Sequence, residues 1–150
     1  MSSLADAGAP PSSVEIAIPP RSPYVGVVRL ALSALARETG LDDSTIEDLK
    51  IAVSEACANA VLASEDAGFD DPVTITWSEG DDELAVVVED RAGNPEDQMA
   101  QGFDSWGFSS RLVMSMSMLQ GLVDECEITS RQGGGTSTRL VVLRSGTRDD

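Results

Sequence analysis

Two segments of the chain have the pattern of a strand, a polar turn and a second strand, and this pattern constrains the fold more than any other feature. Residues 73–77 and 84–88 are rich in β-branched residues and flank a polar turn at 79–82. Residues 123–129 and 137–144 flank a second, glycine-rich turn. Because short polar turns join neighbouring antiparallel strands, both pairs predict hairpins. The chain is therefore expected to contain a mixed, mainly antiparallel sheet.

Three other segments have the apolar spacing of helices, at residues 24–39, 42–64 and 109–121. A short alternating segment at 14–18, followed by two prolines, predicts an edge strand. The stretch 91–108 is polar and rich in glycine, which predicts a long loop. The resulting order β-α-α-β-β-loop-α-β-β predicts an α+β two-layer sandwich, with helices packed on one face of the sheet.

The length of 150 residues suits one domain with its own core. We place this domain at residues 14–145, with disordered tails at 1–13 and 146–150, because both ends are small or polar. The N-terminus lacks the basic and apolar regions of a signal peptide, and no stretch approaches the ~20 apolar residues of a membrane span. These features predict a cytoplasmic protein without membrane contact.

The composition excludes several kinds of chemistry. The chain has no histidine and two cysteines, which excludes Ser-His-Asp and Cys-His catalysis and four-thiolate zinc sites. Its net charge of −16 would repel nucleic-acid phosphates, so we expect a basic protein partner and no direct nucleic-acid contact. Cys57 and Cys126 lack C-x-x-C spacing, which favours free thiols over a disulfide.

A polar pair interrupts the second helix. Glu55 and Asn59 are four residues apart in an otherwise apolar and small-residue run, so both leave the same side of the helix. A glutamate can accept a proton, and an asparagine oxygen can ligate Mg²⁺. Taken alone, the pair is explained more simply as ordinary solvated or core-satisfied side chains.

A second polar motif follows the strand at 84–88. Asp90 could accept a hydrogen bond from an exocyclic amine, and Gly93 lets the backbone approach a flat ring. The helical Glu-x-x-x-Asn, the Asp-x-x-Gly after this strand and Gly135-Thr136 resemble, in that order, the ATP-binding fold shared by histidine kinases, gyrase and Hsp90. At this length, the chain is most similar to the bacterial anti-sigma factor and serine-protein kinase family, which includes sporulation and stress-response switches. Residues 48–61 carry the most specific similarity.

The resemblance implies a role for each matching residue. Asn59 would hold Mg²⁺ between the phosphates of ATP, and Glu55 would act as general base or orienter. The adenine end of the site would be formed by Asp90, Gly93, Gly135 and Thr136. Family members sequester a sigma factor, and many phosphorylate a serine or threonine on an anti-anti-sigma antagonist. Some of them dimerise, so a homodimer stays open.

The chain departs from the family in its glycines. The usual Asp-x-Gly-x-Gly has alanine at position 92 and asparagine at position 94. The phosphate lid, normally Gly-x-Gly opening a helix, aligns either with Val113 and Ser115 or with Gly107. Glycines at a helix N-terminus supply the amides that cradle phosphates, so two functions stay open: a kinase, or a non-catalytic sigma-binding module with a degenerate nucleotide site. An adaptor unrelated to nucleotides is a third.

Two further sets of residues have two interpretations each. Arg91 and Arg111 are either phosphate contacts or solvated surface arginines. The run of Met114, Met116, Met118 and Leu119 is either a pliable partner surface or, as we favour here, part of the core.

Overall fold

The structure is a computed structural model that describes residues 12–92 and 103–144, with the backbone alone for Ser12 and for residues 103–112. Its elements are β1 (Ser12–Ile18), α1 (Val25–Ala36), α2 (Asp43–Ala67), β2 (Val73–Glu79), β3 (Glu83–Glu89), α3 (Phe103–Leu122), β4 (Glu125–Ser130) and β5 (Thr136–Leu143). A single turn of 3-10 helix, Ser22–Tyr24, leads into α1. Residues 1–11 of the predicted N-terminal tail and the whole predicted C-terminal tail lie outside the described residues.

The strands form one sheet in the order β1-β2-β3-β5-β4, and each of these neighbouring pairs is antiparallel. The predicted α+β class is confirmed, and the described strands are antiparallel throughout rather than mainly so. The two predicted hairpins are β2–β3 and β4–β5, and β1 lies at an edge. Strand β3 occupies the centre of the sheet and pairs antiparallel with β5. The end of β3, which leads into Asp90, therefore lies beside the start of β5.

The helices cover one face of this sheet. Helix α2 contacts β2, β3 and β5, and both α1 and α3 pack against α2. The buried apolar side chains of α2 recur at helical spacing and are Leu49, Ala52, Val53, Ala56, Cys57, Ala60, Val61 and Ala63. They face strand residues that are fully buried, such as Ile75, Trp77 and Val86. This packing fixes the rotation of α2 about its axis, and with it the direction of Glu55 and Asn59.

The ends of α2 have clear chemical causes. The Asp42 carboxylate accepts a hydrogen bond from the Thr45 amide at 3.0 Å, which caps the first turn. Hydrogen bonding to the Thr45 side chain and to its amide lowers the pKa of Asp42. Gly68 ends the helix in the left-handed conformation at φ 72°. The helix therefore ends at Ala67, slightly beyond the predicted Ser64.

Helix α3 differs from the sequence prediction at its start. It begins at Phe103 rather than near Ser109, so the predicted loop 91–108 is wrong from residue 103 onward; residues 93–102 lie outside the described residues. The polar and glycine content of this stretch favoured a loop, but one glycine inside a helix costs only about 1 kcal/mol. Gly107 is accommodated within the helix.

The methionine run also differs from expectation. Leu119 is fully buried, but Met114 is 73% and Met118 43% exposed, so the core prediction is wrong for these two methionines. The cause is helical geometry: Ser115 and Leu119 share the face of α3 that is buried, and Met114 and Met118 lie four apart on the neighbouring, exposed side. Both cysteines are free thiols, as predicted. Burial raises the pKa of Cys57 to about 12.

Candidate active site

Glu55 and Asn59 lie one turn apart on α2, where its buried face ends, and both side chains are half-buried. Their partner is Ser115 of α3, which is only 3% exposed. The Ser115 hydroxyl donates a hydrogen bond to Glu55 Oε2 at 2.9 Å. Asn59 Nδ2 donates to the same hydroxyl oxygen at 2.7 Å. A chain of three side chains therefore connects the two helices.

Asp90 lies directly after β3 and is 4% exposed. Its Oδ1 accepts hydrogen bonds from the amides of Ala92 at 3.0 Å and Thr136 at 3.3 Å. Its own amide donates to the Thr136 carbonyl at 3.0 Å. Burial raises the pKa of this carboxyl, although the two amides and the nearby Arg131 guanidinium act in the opposite direction. The carboxylate is held in place by one amide from the segment after β3 and one from the start of β5.

Gly135 makes the close approach of these two strands possible. It has φ +99°, which favours glycine, and a Cβ at this position would overlap the Asp90 carbonyl oxygen and lie 2.8 Å from Arg91 Cα. Arg131 also supports the approach, because its Nη1 donates to the carbonyls of Asp90 and Gly134 at 3.3 Å each. The Gly-Thr motif therefore places Thr136 against Asp90 through the backbone.

The predicted residues from separate elements meet at one cavity. Asn59 of α2, Asp90 after β3 and Thr136 of β5 all line it. Its volume is about 20 Å³, the space of roughly one water. Leu119 and Ile128 close two sides, and Thr138 adds a hydroxyl-bearing side chain that the motif analysis missed. Alternation along β5 could have identified Thr138, because residues two apart in a strand share a face.

Glu55 is not among the residues that line this cavity and instead lines a separate, larger groove of about 590 Å³ between the three helices. The side chains around it include Val25, Arg29, Lys50, Ile51 and Met118. Arg29 Nε donates to Ser54 Oγ at 2.8 Å, which ties α1 to α2 beside Glu55. Glu55 is therefore reached from the outer side of the helical layer, and Asn59 lines the inner cavity.

For several predicted site residues, the structure gives no contact that supports the predicted role. Gly93 lies outside the described residues. Gly107 is the fifth residue of α3 and so does not precede the helix, and Val113 and Ser115 lie in its middle. Arg91 is exposed, and the Arg111 side chain is not described. Neither lid alignment therefore places a glycine at the start of α3, the residues 93–102 that precede the helix lie outside the described ones, and the phosphate-binding role of Gly107 stays a prediction.

The donor set suits a weakly held hard cation. Within the described ranges no three cysteine, aspartate or glutamate side chains form a group that could hold a metal ion. Mg²⁺ typically keeps several waters and binds substrate phosphates through few protein ligands. The amide oxygen of Asn59 fits this kind of coordination.

The comparisons with known proteins identify the family. Residues 18–142 match the histidine kinase-like ATPase domain. This range spans more than half of the chain and contains Glu55, Asn59, Asp90 and Thr136. The chain belongs to the histidine kinase-like ATPase family.

Individual relatives extend this result. The serine-protein kinase RsbW of Bacillus pumilus is 32% identical over 139 residues, covering 80% of each chain. The serine-protein kinase RsbW of Bacillus subtilis is 33% identical over 127 residues, covering 80% of this chain and 79% of the relative. A solved structure of the RsbU and RsbW domains of Rv1364c from Mycobacterium tuberculosis aligns with a TM-score of 0.66 and 26% identity. The alignment covers 90% of this chain and 33% of the solved one. In the part of the chain that the structure describes, no helix is long and apolar enough to cross a membrane.

Proposed function

We propose that this chain is an anti-sigma factor and serine/threonine-protein kinase of the partner-switching type. It sequesters a sigma factor of RNA polymerase in the cytoplasm, and it uses Mg-ATP to phosphorylate a serine or threonine of an anti-anti-sigma antagonist. The observation that carries the proposal is the meeting of Asn59, Asp90 and Thr136 at one cavity, with Glu55 one turn away on α2. The RsbW relatives are named serine-protein kinases, which supports the kinase activity.

In this proposal Glu55 is the general base. It lines the groove between the helices, so a hydroxyl group of a protein segment in that groove can reach its carboxylate. The hydroxyl proton moves to Glu55, the hydroxyl oxygen bonds to the γ-phosphorus, and the bond from that phosphorus to the ADP oxygen breaks. Bound Mg²⁺ would neutralise charge on the phosphates. Asn59 would provide it with a protein oxygen.

In this proposal Asp90 recognises the adenine through a hydrogen bond from its amino group. A buried carboxylate whose Oδ1 is already fixed by two amides can accept a hydrogen bond from the adenine amino group without reorienting. The cavity of about 20 Å³ is far below the 300–1,000 Å³ of typical ligand pockets, so the ring can enter only if the walls separate. Leu119 of α3 and Ile128 of β4 are the walls that would move.

The charge of the chain supports the sigma partner. A net charge of −16 favours a basic protein surface and disfavours DNA. The association rate with a sigma factor should fall as salt rises, since exposed charges more than about 8–10 Å apart are screened near physiological ionic strength. Stopped-flow association at several salt concentrations tests this, with promoter DNA as the negative control. Equal rates at low and high salt would contradict electrostatic steering.

A second function is favoured by one observation. The lid positions differ from the family pattern, because Val113 and Ser115 replace the two glycines in one alignment and Gly107 lies inside α3 in the other. A non-catalytic sigma-binding module with a degenerate nucleotide site would have this feature. It shares the sigma partner with the kinase but not the chemistry.

Calorimetric titration with Mg-ATP separates the two functions. The kinase proposal expects saturable binding, followed by transfer of the γ-phosphoryl group to a serine or threonine of the antagonist. Sigma binding without nucleotide binding would favour the non-catalytic module. Failure to capture any sigma factor of the source cell, with ATP or with ADP, would overturn both. Size-exclusion chromatography of the same sample tests for the homodimer.

A further inference from the structure

No role has been assigned to the Ser115 side chain, yet it contacts both polar residues of α2. It is 3% exposed and lies on the buried face of α3, one turn before the fully buried Leu119. Its hydroxyl is the single link between the Glu55 carboxylate and the Asn59 amide among the described hydrogen bonds. A lid alignment expects glycine at this position, which could form neither bond.

The direction of these hydrogen bonds follows from the chemistry of the groups. An ionised carboxylate only accepts, so the single hydroxyl proton of Ser115 is donated to Glu55. The Ser115 oxygen is then an acceptor toward Asn59, and the amide must present its NH₂ group to it. The Asn59 oxygen, on the other branch of the planar amide, is therefore directed away from Ser115. Glu55 thus determines, through Ser115, which atom of Asn59 is available to a ligand.

We propose that Ser115 is a positioning residue that turns the amide oxygen of Asn59 toward the metal and fixes the Glu55 carboxylate beside it. This inference rests on the proposed function, because it concerns the same Mg-ATP site. Without the hydroxyl, the Asn59 amide can rotate and present its NH₂ group, which repels a cation. Ser115 itself contacts neither metal nor nucleotide in this role.

The test measures ATP affinity by calorimetry with Mg²⁺ and again with a chelator. The increase in ATP affinity that Mg²⁺ causes should be about 10- to 100-fold smaller in Ser115→Ala than in the parent. A loss of this size is usual for residues that orient a metal ligand. The affinity of Ser115→Ala in the chelator should match that of the parent. A purely structural role would lower the unfolding midpoint and weaken both titrations equally.

Three further variants complete the experiment. Ser117→Ala, on the same helix but exposed, is the matched control and should behave as the parent. Ser115→Cys nearly preserves the volume but donates poorly, so it should reproduce the loss even if Ser115→Ala folds badly. In the Asn59→Ala background, Ser115→Ala should add no further loss, because it acts through Asn59.

The possible failures are distinguishable. If the parent depends on Mg²⁺ but Ser115→Ala and Ser115→Cys bind Mg-ATP as tightly as the parent or more tightly, the positioning role is wrong and the proposed function stands. If the parent gains no affinity from Mg²⁺, the metal role of Asn59 in the proposed function fails, and the role of Ser115 fails with it.

Discussion

The two ends of the site are built in different ways. At the adenine end, Asp90 is fixed by backbone amides of Ala92 and Thr136 and by the close approach of Gly135. At the catalytic end, Glu55 and Asn59 are fixed by the side chain of Ser115 on another helix. The adenine end therefore depends on backbone geometry, and the catalytic end depends on how α2 and α3 pack.

This difference has consequences for stability and for motion. A backbone-built end cannot change without disturbing the sheet, since the Asp90 amide bonds to the Thr136 carbonyl directly where the central β3–β5 pair ends. A side-chain-built end can open if α3 shifts, because the hydrogen bonds of Ser115 and the packing of Leu119, among the described side chains, connect α3 to the buried side of the molecule. We expect the backbone around Asp90 and Thr136 to stay fixed, and α3, which carries both Ser115 and the cavity wall Leu119, to be the part that moves.

The largest effect is expected from Glu55→Gln, which tests whether the catalytic end carries the chemistry. Removing the base should lower phosphoryl transfer by about 10²- to 10⁴-fold. ATP affinity measured in the presence of a chelator should stay near that of the parent, because Asp90 and Thr136 are untouched. Transfer of labelled phosphate to the antagonist is the measurement. A variant that transfers at the full rate would move the base elsewhere.

The next largest effect is expected from Gly135→Ala, which tests whether the adenine end is fixed by chain geometry. A positive φ costs an alanine about 1–2 kcal/mol, and overlap with the Asp90 backbone adds about 1–3 kcal/mol. Gly133→Ala is the matched control, since Gly133 has φ +88° but nothing within 4 Å of its added Cβ. Urea unfolding of both variants measures the difference. Equal losses of unfolding free energy in the two variants would mean that the backbone moves to remove the overlap at little cost.

Asp90→Asn separates the ligand-binding role of this residue from its structural one. Asparagine keeps an oxygen for the two amides, but its NH₂ group would face the adenine amino group, so ATP affinity should fall by about 10- to 100-fold. Calorimetry with ATP measures this loss. An unchanged affinity would remove Asp90 from adenine recognition.

The same variant has an expected pH dependence. Because burial raises the folded pKa above 3.8, the protonated form of Asp90 contributes stability that is complete below pH 3.8 and is lost as pH rises through the folded pKa. Asparagine has no such proton. The stability of Asp90→Asn relative to the parent should therefore increase from pH 3.8 toward neutrality, as measured by unfolding at several pH values. A difference in stability between variant and parent that does not change with pH would contradict the raised pKa of Asp90.

The smallest effect is expected for the stability of Asn59→Ala without nucleotide. Losing one hydrogen bond to Ser115 should cost only about 0.5–1.5 kcal/mol, which is less than the loss in Gly135→Ala. Mg-ATP affinity should nevertheless fall, because the metal ligand is gone. A thermal unfolding scan and a Mg-ATP titration are the measurements. Unchanged Mg-ATP affinity would exclude Asn59 as a ligand.

The adenine end was the more predictable half from the sequence. Asp90 follows an apolar strand, and Gly135 precedes another, so local patterns predict both elements and the places where they end. Helix α2 was predictable for the same reason, through its apolar spacing. The pairing of β3 with β5, which puts β3 at the centre of the sheet, was not predicted, because the two hairpins fix only the β2–β3 and β4–β5 neighbours.

The catalytic end was predictable only in part. Glu55 and Asn59 were identified from their spacing, but nothing local indicates that Ser115 is their partner, because the contact depends on how α3 packs across α2. The start of α3 and the exposure of Met114 were missed because both depend on tertiary packing rather than on composition.

The pairing of β3 with β5 also has a consequence for synthesis on the ribosome. Asp90 leaves the ribosomal tunnel well before Thr136, so its Oδ1 has only one of its two amide partners during that interval. The centre of the sheet stays unpaired on one side until the last described strand emerges. ATP can therefore bind the complete domain but cannot assist the folding of the nascent chain. A chain arrested before β5 should be bound by chaperones and should not bind ATP.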